Sequence, residues 1–275
     1  MIENRLATLP ELRDILGWAA EEGWNPGLDD AEAFYAADPQ GFFVSTEGDK
    51  PFGAISVVNH NDEAAFLGLY IVKPQYRGRG LGLSLWNHAF AHAGPRVVGL
   101  DGVPAQQANY VKSGFVWAGK TKRYAGPLGG TTSDAVREAE GADHTRLMEM
   151  EFRGSWCRKP AFLSAWLSNT ANRRTLVATQ NGEIAGFATV RKCRNGAKIG
   201  PLVAETIEVA DALIQHAATL FDGGVIIDVP ATSQTLEQLC LDYGFASAFE
   251  TARMYRGAAP QGESMVFAVS TLELG

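Results

Sequence analysis

Apolar and polar residues alternate along the first half of the chain in a pattern that predicts several helices and strands. Thr8 and Glu11 have the spacing of a helix capping box, and Asp29 and Glu32 repeat that spacing before a second, shorter helix. Behind the first box the apolar residues recur at helical intervals: Leu12, Ile15, Leu16 and Ala19. Two helices are therefore expected before residue 41.

Shorter apolar runs further along the chain predict strands. They cover about residues 41–46, 52–59, 64–72, 96–101 and 115–124. Helical patterns lie between them, from about 80 to 93 and near 105–112. Strands interleaved with amphipathic helices predict a mixed α/β layer in which helices pack on a sheet.

The second half of the chain repeats this pattern weakly. Val44 and Gly53 stand nine positions apart around a predicted hairpin, as do Val177 and Gly186. Further features recur in the same order: Asp101 and Asp228, Gly114-Phe115 and Gly244-Phe245, Arg123 and Arg253. Two copies of one α/β unit are predicted, at residues 1–126 and 142–275, with a linker at 127–141 that is rich in turn-forming residues.

Bulk properties narrow the class of protein. The 275 residues are 46% hydrophobic and carry a net charge of −7, which argues against nucleic acid or an anionic membrane as partner. No apolar run reaches the roughly 18 residues of a membrane helix, and the acidic N-terminal segment is unlike a secretory signal. Three cysteines without metal-ligand spacing predict free thiols, a cytoplasmic location and no metal site.

The segment from Ile71 to Gly82 carries the most chemical information. An apolar strand runs into a turn that contains Gly78, Gly80 and Gly82 together with two arginines, and a helix follows directly. Glycines let the backbone approach a ligand closely, and the start of a helix attracts negative charge. The pattern predicts a site for a phosphorylated cofactor.

Two common phosphate motifs fit this segment poorly. A P-loop needs Lys-Ser or Lys-Thr after its last glycine, and neither is present. In the dinucleotide motif the third glycine would come one place later than Gly82, and Asp101 is only a partial match to its acidic residue.

A third motif fits better. Gln75, Gly78 and Gly80 follow a strand that ends in Val72-x-Pro74, and Tyr110 precedes the pair Gly114-Phe115 by four residues. This arrangement resembles the acetyl-CoA signature of the GNAT N-acetyltransferase superfamily, with motif matches over about residues 43–124. The resemblance implies an α/β (α+β) fold of tandem GNAT-like domains, each a mixed, mostly antiparallel twisted sheet flanked by helices.

The resemblance also implies a reaction: direct transfer of an acetyl group from acetyl-CoA, in a ternary complex, to a primary amine of a small molecule or a peptide N-terminus. Backbone N–H groups would hold the pyrophosphate, with added charge from the two arginines. The residues assigned to this role are Arg77, Gly78, Arg79, Gly80, Leu81 and Gly82.

Three further residues receive roles from the same resemblance. Ile71 and Val72 would pair with the pantetheine arm as a neighbouring strand does, and the N–H of Val72 would stabilise the oxyanion. Tyr110 would protonate the departing thiolate and also contact the cofactor.

The general base stays open. Family members often place a glutamate on the strand before the loop, but this chain has Gly68-Leu69-Tyr70 there. Asp101, Glu21 or a water chain are the alternatives. Asp101 also has a twin in the second copy, which favours a shared structural role instead. Trp18 and Trp24 either line the acceptor pocket or pack in the core.

The second copy differs where the chemistry should lie. The segment 198–204 stands where the loop is expected and lacks the glycine series, and Cys240 replaces the tyrosine. One catalytic domain and one degenerate domain are predicted. The degenerate domain either forms a wall of the acceptor pocket or packs on the sheet of the first domain. A non-catalytic acyl-CoA sensor is the alternative function.

His88 and His92 lie one helical turn apart without a third ligand, so a solvated helix face is expected rather than a metal site.

Overall fold

The computed structural model describes residues 1–275. The first half of the chain forms β1 (Ile2–Leu6), α1 (Leu9–Glu21), α2 (Asp30–Ala37), β2 (Phe42–Glu47), β3 (Lys50–Asn59), β4 (Ala64–Val72), α3 (Leu81–Phe90), β5 (Val97–Gly102), α4 (Gln107–Lys112) and β6 (Val116–Gly126). The predicted elements of this half are all present. Strand β1, which pairs with β2, was not predicted.

The second half forms a similar series. Its elements are β7 (Val136–Glu138), α5 (His144–Ser155), α6 (Pro160–Trp166), β8 (Arg173–Gln180), β9 (Glu183–Lys192), β10 (Ala197–Ala204), α7 (Ile207–Ala217), β11 (Val225–Pro230), α8 (Gln234–Asp242), β12 (Ala246–Arg256) and β13 (Val266–Ala268). The segment predicted as a linker, 127–141, includes β7, which pairs with β8.

Local sequence explains how the first two helices begin. Thr8 caps α1, and the side chain of Glu11 accepts a hydrogen bond from the Thr8 N–H at 2.9 Å, so the predicted capping box is present. Asp29 stands at the start of α2, but its carboxylate instead accepts hydrogen bonds from Thr170 and Asn172. Asp29 of the second predicted capping box therefore forms a contact between the two halves instead of capping the helix.

All thirteen strands belong to one sheet. Their order is β1-β2-β3-β4-β5-β12-β6-β11-β10-β9-β8-β7, and β13 pairs with β10. Only the β4–β5 and β10–β11 pairs are parallel. The predicted mixed, mostly antiparallel sheet flanked by helices is confirmed. No helix is long and apolar enough to cross a membrane.

The last strands of the two copies are exchanged. Strand β12 lies between β5 and β6, and β6 lies between β12 and β11, so the Gly-Phe strand of each copy, β6 or β12, pairs with the β5 or β11 strand of the other copy. The register places Arg253 opposite Asp101 and Arg123 opposite Asp228. Backbone pairing therefore joins the halves at the centre of the sheet.

The halves also share a hydrophobic core. On one face of the sheet, α1 and α2 pack against α5 and α6, and the ring of Phe34 stacks on that of Trp166 at 5.8 Å between centroids. On the other face, α3 and α7 each cover the sheet of their own half. The molecule is thus continuous through both its sheet and one of its cores.

Residues 198–204, which stand where the loop is expected in the second copy, form β10 instead. Gly200-Pro201 stands inside the strand at a shift of register between Ile199 and Leu202, a place where a sheet tolerates proline. The junction with α7 is only Glu205 and Thr206, and Thr206 caps the helix. The second copy therefore has no room for a glycine loop at this position.

Candidate active site

Strands β4 and β5 separate along their length. They pair in parallel from Ala64 with Val97 to Leu67 with Leu100, and no further. Strand β4 continues to Val72, so its outer edge faces an opening instead of a neighbouring strand. Unpaired backbone groups at such an edge can receive an extended ligand as an added strand.

The register of β4 decides which of its backbone groups face the opening. The N–H of Lys73 donates to the carbonyl of Phe52 on β3 at 2.8 Å. Successive residues of an antiparallel pair point alternately toward and away from their neighbour, so Val72 directs its N–H into the opening. Ile71 instead pairs with Ala54, and its side chain lies in the core.

The glycine loop presents a row of free donors. The N–H groups of residues 78–83 donate to no acceptor in the protein. Gly78 and Gly80 have φ of +74° and +75°, and the space beside their Cα atoms is open. Helix α3 begins directly after them, so the positive end of its dipole adds to these donors. The geometry is that of an anion site.

The two arginines of the loop differ in their environments. Arg77 donates from Nε to the carbonyl of Val72 at 2.6 Å and forms an ion pair with Glu22. Arg79 is exposed, forms no ion pair, and lies 5.7 Å from the centroid of the Tyr76 ring. Arg79 is therefore the cation of the loop whose charge is not already compensated.

A cavity of about 60 Å³ lies behind the opening and has room for a few water molecules or the end of a substrate. Tyr110 forms part of its wall. The phenol ring stacks on Trp86 at 5.8 Å and packs against Gly102, where any side chain would collide with it. Burial raises the pKa of Tyr110, which keeps the phenol protonated.

Asp101 also lines this cavity, but its carboxylate is already bound. Both oxygens accept hydrogen bonds from Arg253, at 2.6 and 3.0 Å, and the side chain has 0% exposure. Burial raises the pKa of Asp101, and the charge of Arg253 opposes that rise. The structure thus places Asp101 near the opening while holding it in an ion pair.

The other candidate residues are divided between the cavity and the surface. Trp24 lines the cavity, whereas Trp18 lies under the ammonium of Lys73 and does not. Glu21 is exposed at the end of α1, away from the cavity lining. His92 is paired with Asp38 at 2.7 Å, and His88 is exposed.

Sequence reasoning missed Glu273. This residue lies on the tail, defined here as residues 265–275, and it lines the cavity together with Tyr110 and Asp101. It is only 5% exposed. Its main chain crosses β4 at Gly68. A Cβ atom at position 68 would overlap sterically with the Glu273 carbonyl oxygen. No local sequence pattern predicts a contact between positions so far apart in the chain.

The equivalent opening in the second half is filled. Strands β10 and β11 also pair over a short stretch, from Ala197 with Val225 to Ile199 with Ile227. Beyond it, β13 from the tail pairs with β10. Cys240, at the position equivalent to the tyrosine, is fully buried, and burial raises the pKa of its thiol to about 12. The second half therefore has neither an open edge nor a phenol.

Comparison with known families agrees with this doubled architecture. The model described as "Acetyltransferase (GNAT) family" matches residues 9–115, and that described as "Acetyltransferase (GNAT) domain" matches residues 148–268. The fold is that of a two-domain GNAT protein.

Relatives support the same class over the full length. The chain is 35% identical, over 277 aligned residues, to holothin acyltransferase of Pseudoalteromonas sp. (strain SANK 73390), covering 99% of this chain and 94% of that protein. It is 23% identical to YitH, an uncharacterized N-acetyltransferase of Bacillus subtilis, over 76% of each. This chain belongs to the GNAT acyltransferase family.

Solved structures support the fold. A candidate acetyltransferase of Pyrococcus horikoshii superposes with a TM-score of 0.85 at 21% identity, over 100% of this chain and 96% of that one. A tandem GNAT protein from the clavulanic acid biosynthesis pathway gives 0.62 at 16% identity, over 96% and 100%. The predicted tandem GNAT fold is confirmed.

Proposed function

We propose that the protein is a cytoplasmic, acetyl-CoA-dependent N-acetyltransferase that acts on a primary amine of a small molecule or a peptide N-terminus. Transfer is direct, in a ternary complex, and residues 1–126 form the catalytic domain. The observation that carries the proposal is the open edge of β4 beyond its pairing with β5, on the strand that leads directly into the loop whose residues 78–83 have free N–H groups.

The residues present fit this donor. The free N–H groups and Arg79 suit a pyrophosphate, and the N–H of Val72 suits an amide-rich arm laid along β4 or an oxyanion beside it. Ile71 supports Val72 by anchoring the strand in the core. When bound, acetyl-CoA supplies an acetyl group already activated as a thioester.

Tyr110 is the proposed acid. Its buried phenol is neutral across the physiological range, so it can donate a proton to a leaving sulfur at the cavity wall. The name of the holothin acyltransferase relative, together with its identity over nearly the whole chain, supports acyl transfer to a small molecule in this protein too.

A single donor site per chain follows from the filled opening in the second half, residues 142–275, which we assign as the degenerate domain joined through 127–141. Calorimetric titration with acetyl-CoA is expected to give one equivalent per chain. Two equivalents would refute the assignment of the second half.

Release of free thiol from acetyl-CoA, measured against a panel of primary amines, tests the activity. We expect Tyr110→Phe to bind acetyl-CoA normally and to lower kcat by about 100-fold, a typical contribution of a general acid. Tyr35→Phe is the matched control, because the Tyr35 ring only stacks on Phe42. Tight binding of acetyl-CoA without turnover of any amine would favour the sensor function instead.

A further inference from the structure

The tail brings a carboxylate to the place where the catalytic strand lacks one. The stretch Gly68-Leu69-Tyr70 stands on β4, the strand on which family members often carry a glutamate, and the main chain of Glu273 lies directly against Gly68. Any side chain at position 68 would collide with that backbone. The tail therefore packs on β4 at a position where the strand has no side chain.

The carboxylate of Glu273 is buried yet unpaired. It accepts no hydrogen bond and forms no ion pair, and the only partner of this residue is Thr271, whose hydroxyl accepts from the Glu273 N–H at 3.1 Å. Neither carboxylate oxygen is fully shielded from solvent. Because these oxygens face the cavity, a polar ligand or water there can supply the partner that the protein does not.

Arg123 and Lys198 are close enough for their charges to interact with that of Glu273, but neither forms an ion pair with it. Arg123 is bound to both oxygens of Asp228 and to the carbonyl of Trp24, and Lys198 donates to the same carbonyl. The charged and titratable groups around Glu273 are Arg123 on β6, Lys198 on β10, Asp228 on β11, Asp101 on β5 with its partner Arg253 on β12, Tyr70 on β4 and Tyr110 on α4.

The tail is held firmly around Glu273. The hydroxyl of Thr271 also accepts from the N–H of Leu274 at 2.8 Å, and the carbonyl of Leu274 accepts from the ring of His60 at 2.7 Å. On the other side, Arg191 donates to the carbonyl of Ser270 at 3.2 Å. The carboxylate therefore stands on a fixed turn that contacts both halves of the molecule.

We propose that Glu273 binds the ammonium group of the acceptor and accepts its proton. The inference rests on the proposed function and narrows the acceptor to amines that are protonated at neutral pH. Asp101 is already paired with Arg253, and Glu21 lies outside the cavity. Glu273 is thus the carboxylate of the cavity that is free to act.

The protons balance as follows. Glu273 takes one proton from the ammonium and releases it to solvent. The neutral nitrogen attacks the thioester carbon, the carbon–sulfur bond breaks, and the sulfur takes a proton from Tyr110. The nitrogen then loses its second proton, which restores the phenol.

Glu273→Gln tests the proposal with little change of shape. We expect kcat/KM for primary amines at pH 7 to fall by about 100-fold, while acetyl-CoA affinity stays unchanged and the melting temperature does not fall. The deficit should shrink toward about pH 10, where alkylamines are increasingly neutral. Glu263→Gln is the matched control, since Glu263 pairs with Arg153 at the surface next to the tail. A Glu273→Gln enzyme with wild-type kcat/KM at both pH values would overturn the proposal.

Equilibrium binding separates this proposal from the activity itself. Each amine of the panel and its alcohol isostere are titrated into the wild-type complex with coenzyme A and into the Glu273→Gln complex. Selective loss of amine binding in the variant supports the role of Glu273. If the wild-type enzyme then acetylates no amine, only the proposed function is refuted, and the role of Glu273 in binding the amine stands. Amine binding that is absent in wild type, or unchanged in the variant, overturns the proposal.

Discussion

Asp101 and Arg253 are separated by 152 positions and form a bidentate ion pair across neighbouring strands, with N–O distances of 2.6 and 3.0 Å. Asp228 and Arg123 repeat the arrangement at 2.7 and 2.9 Å. Burial alone would raise the pKa of Asp228, but Arg123 and Lys198 together lower it. Because the last strands are exchanged, each pair joins the two copies.

Breaking the first of these pairs should destabilise the whole molecule. Asp101→Asn leaves the guanidinium of Arg253 in a largely buried place without its counter-charge, and we expect a loss of about 3–5 kcal/mol in the free energy of unfolding. The double variant Asp101→Leu, Arg253→Met should recover most of it. Urea titration measures both, and Glu32→Gln, which breaks an exposed ion pair, is the control. A loss below about 1 kcal/mol would contradict this structural role.

Substitution of Gly80 should separate donor binding from stability. Gly80→Val places a branched side chain at a φ of +75° and distorts the row of free N–H groups, so acetyl-CoA affinity is expected to fall by at least about tenfold. Gly48→Val imposes similar strain, at a φ of +59°, in the β2–β3 turn. It should lower the melting temperature while leaving affinity intact. Equal affinities of the two variants would remove the loop from the donor site.

A methyl group at position 68 should displace the tail. Gly68→Ala creates an overlap with the backbone of Glu273, and we expect a loss of about 1–3 kcal/mol in stability together with reduced amine turnover. Gly119→Ala on β6, where the added carbon meets nothing, serves as the control. Unfolding curves and thiol release report the two effects. Full turnover in Gly68→Ala would mean that the position of the tail does not matter for catalysis.

His60 should give the protein a pH-dependent stability. Burial, reinforced by the charge of Lys159, lowers the pKa of His60 to about 3, so the unfolded chain binds a proton that the folded chain refuses between about pH 6.5 and pH 3. The free energy of unfolding should therefore fall as the pH decreases through this window. His60→Gln should flatten that dependence, whereas His88→Gln, at an exposed position, should leave it unchanged. Parallel profiles for wild type and His60→Gln would refute the assignment.

Much of the first half follows from local sequence. The glycine series, the capping box and the position of Tyr110 each depend on residues within a few turns or strands of one another, so their patterns are readable along the chain. The same holds for the twin aspartates and arginines. Yet their pairing is not readable, because Asp101 matches Arg123 and Arg253 equally well as a partner.

Two features of the site have no local signature. Glu273 reaches the cavity only because the tail crosses from one half to the other, and the tail carries just one three-residue strand. The segment 198–204 stands at the loop position when the two copies are compared, and its Gly-Pro pair gives no local sign of the strand that the surrounding sheet accommodates. In both cases long-range packing overrides local preference.

The tail has a consequence for how this enzyme can diversify. The tail contributes Leu272 and Glu273 to the lining of the proposed acceptor cavity, whereas the proposed anion site lies in the glycine loop of the first half. Substitutions within residues 265–275 can therefore reshape the acceptor side while the loop stays intact. The second half, whose own strand edge is covered by β13, thus supplies part of a cavity wall that can vary independently of the loop.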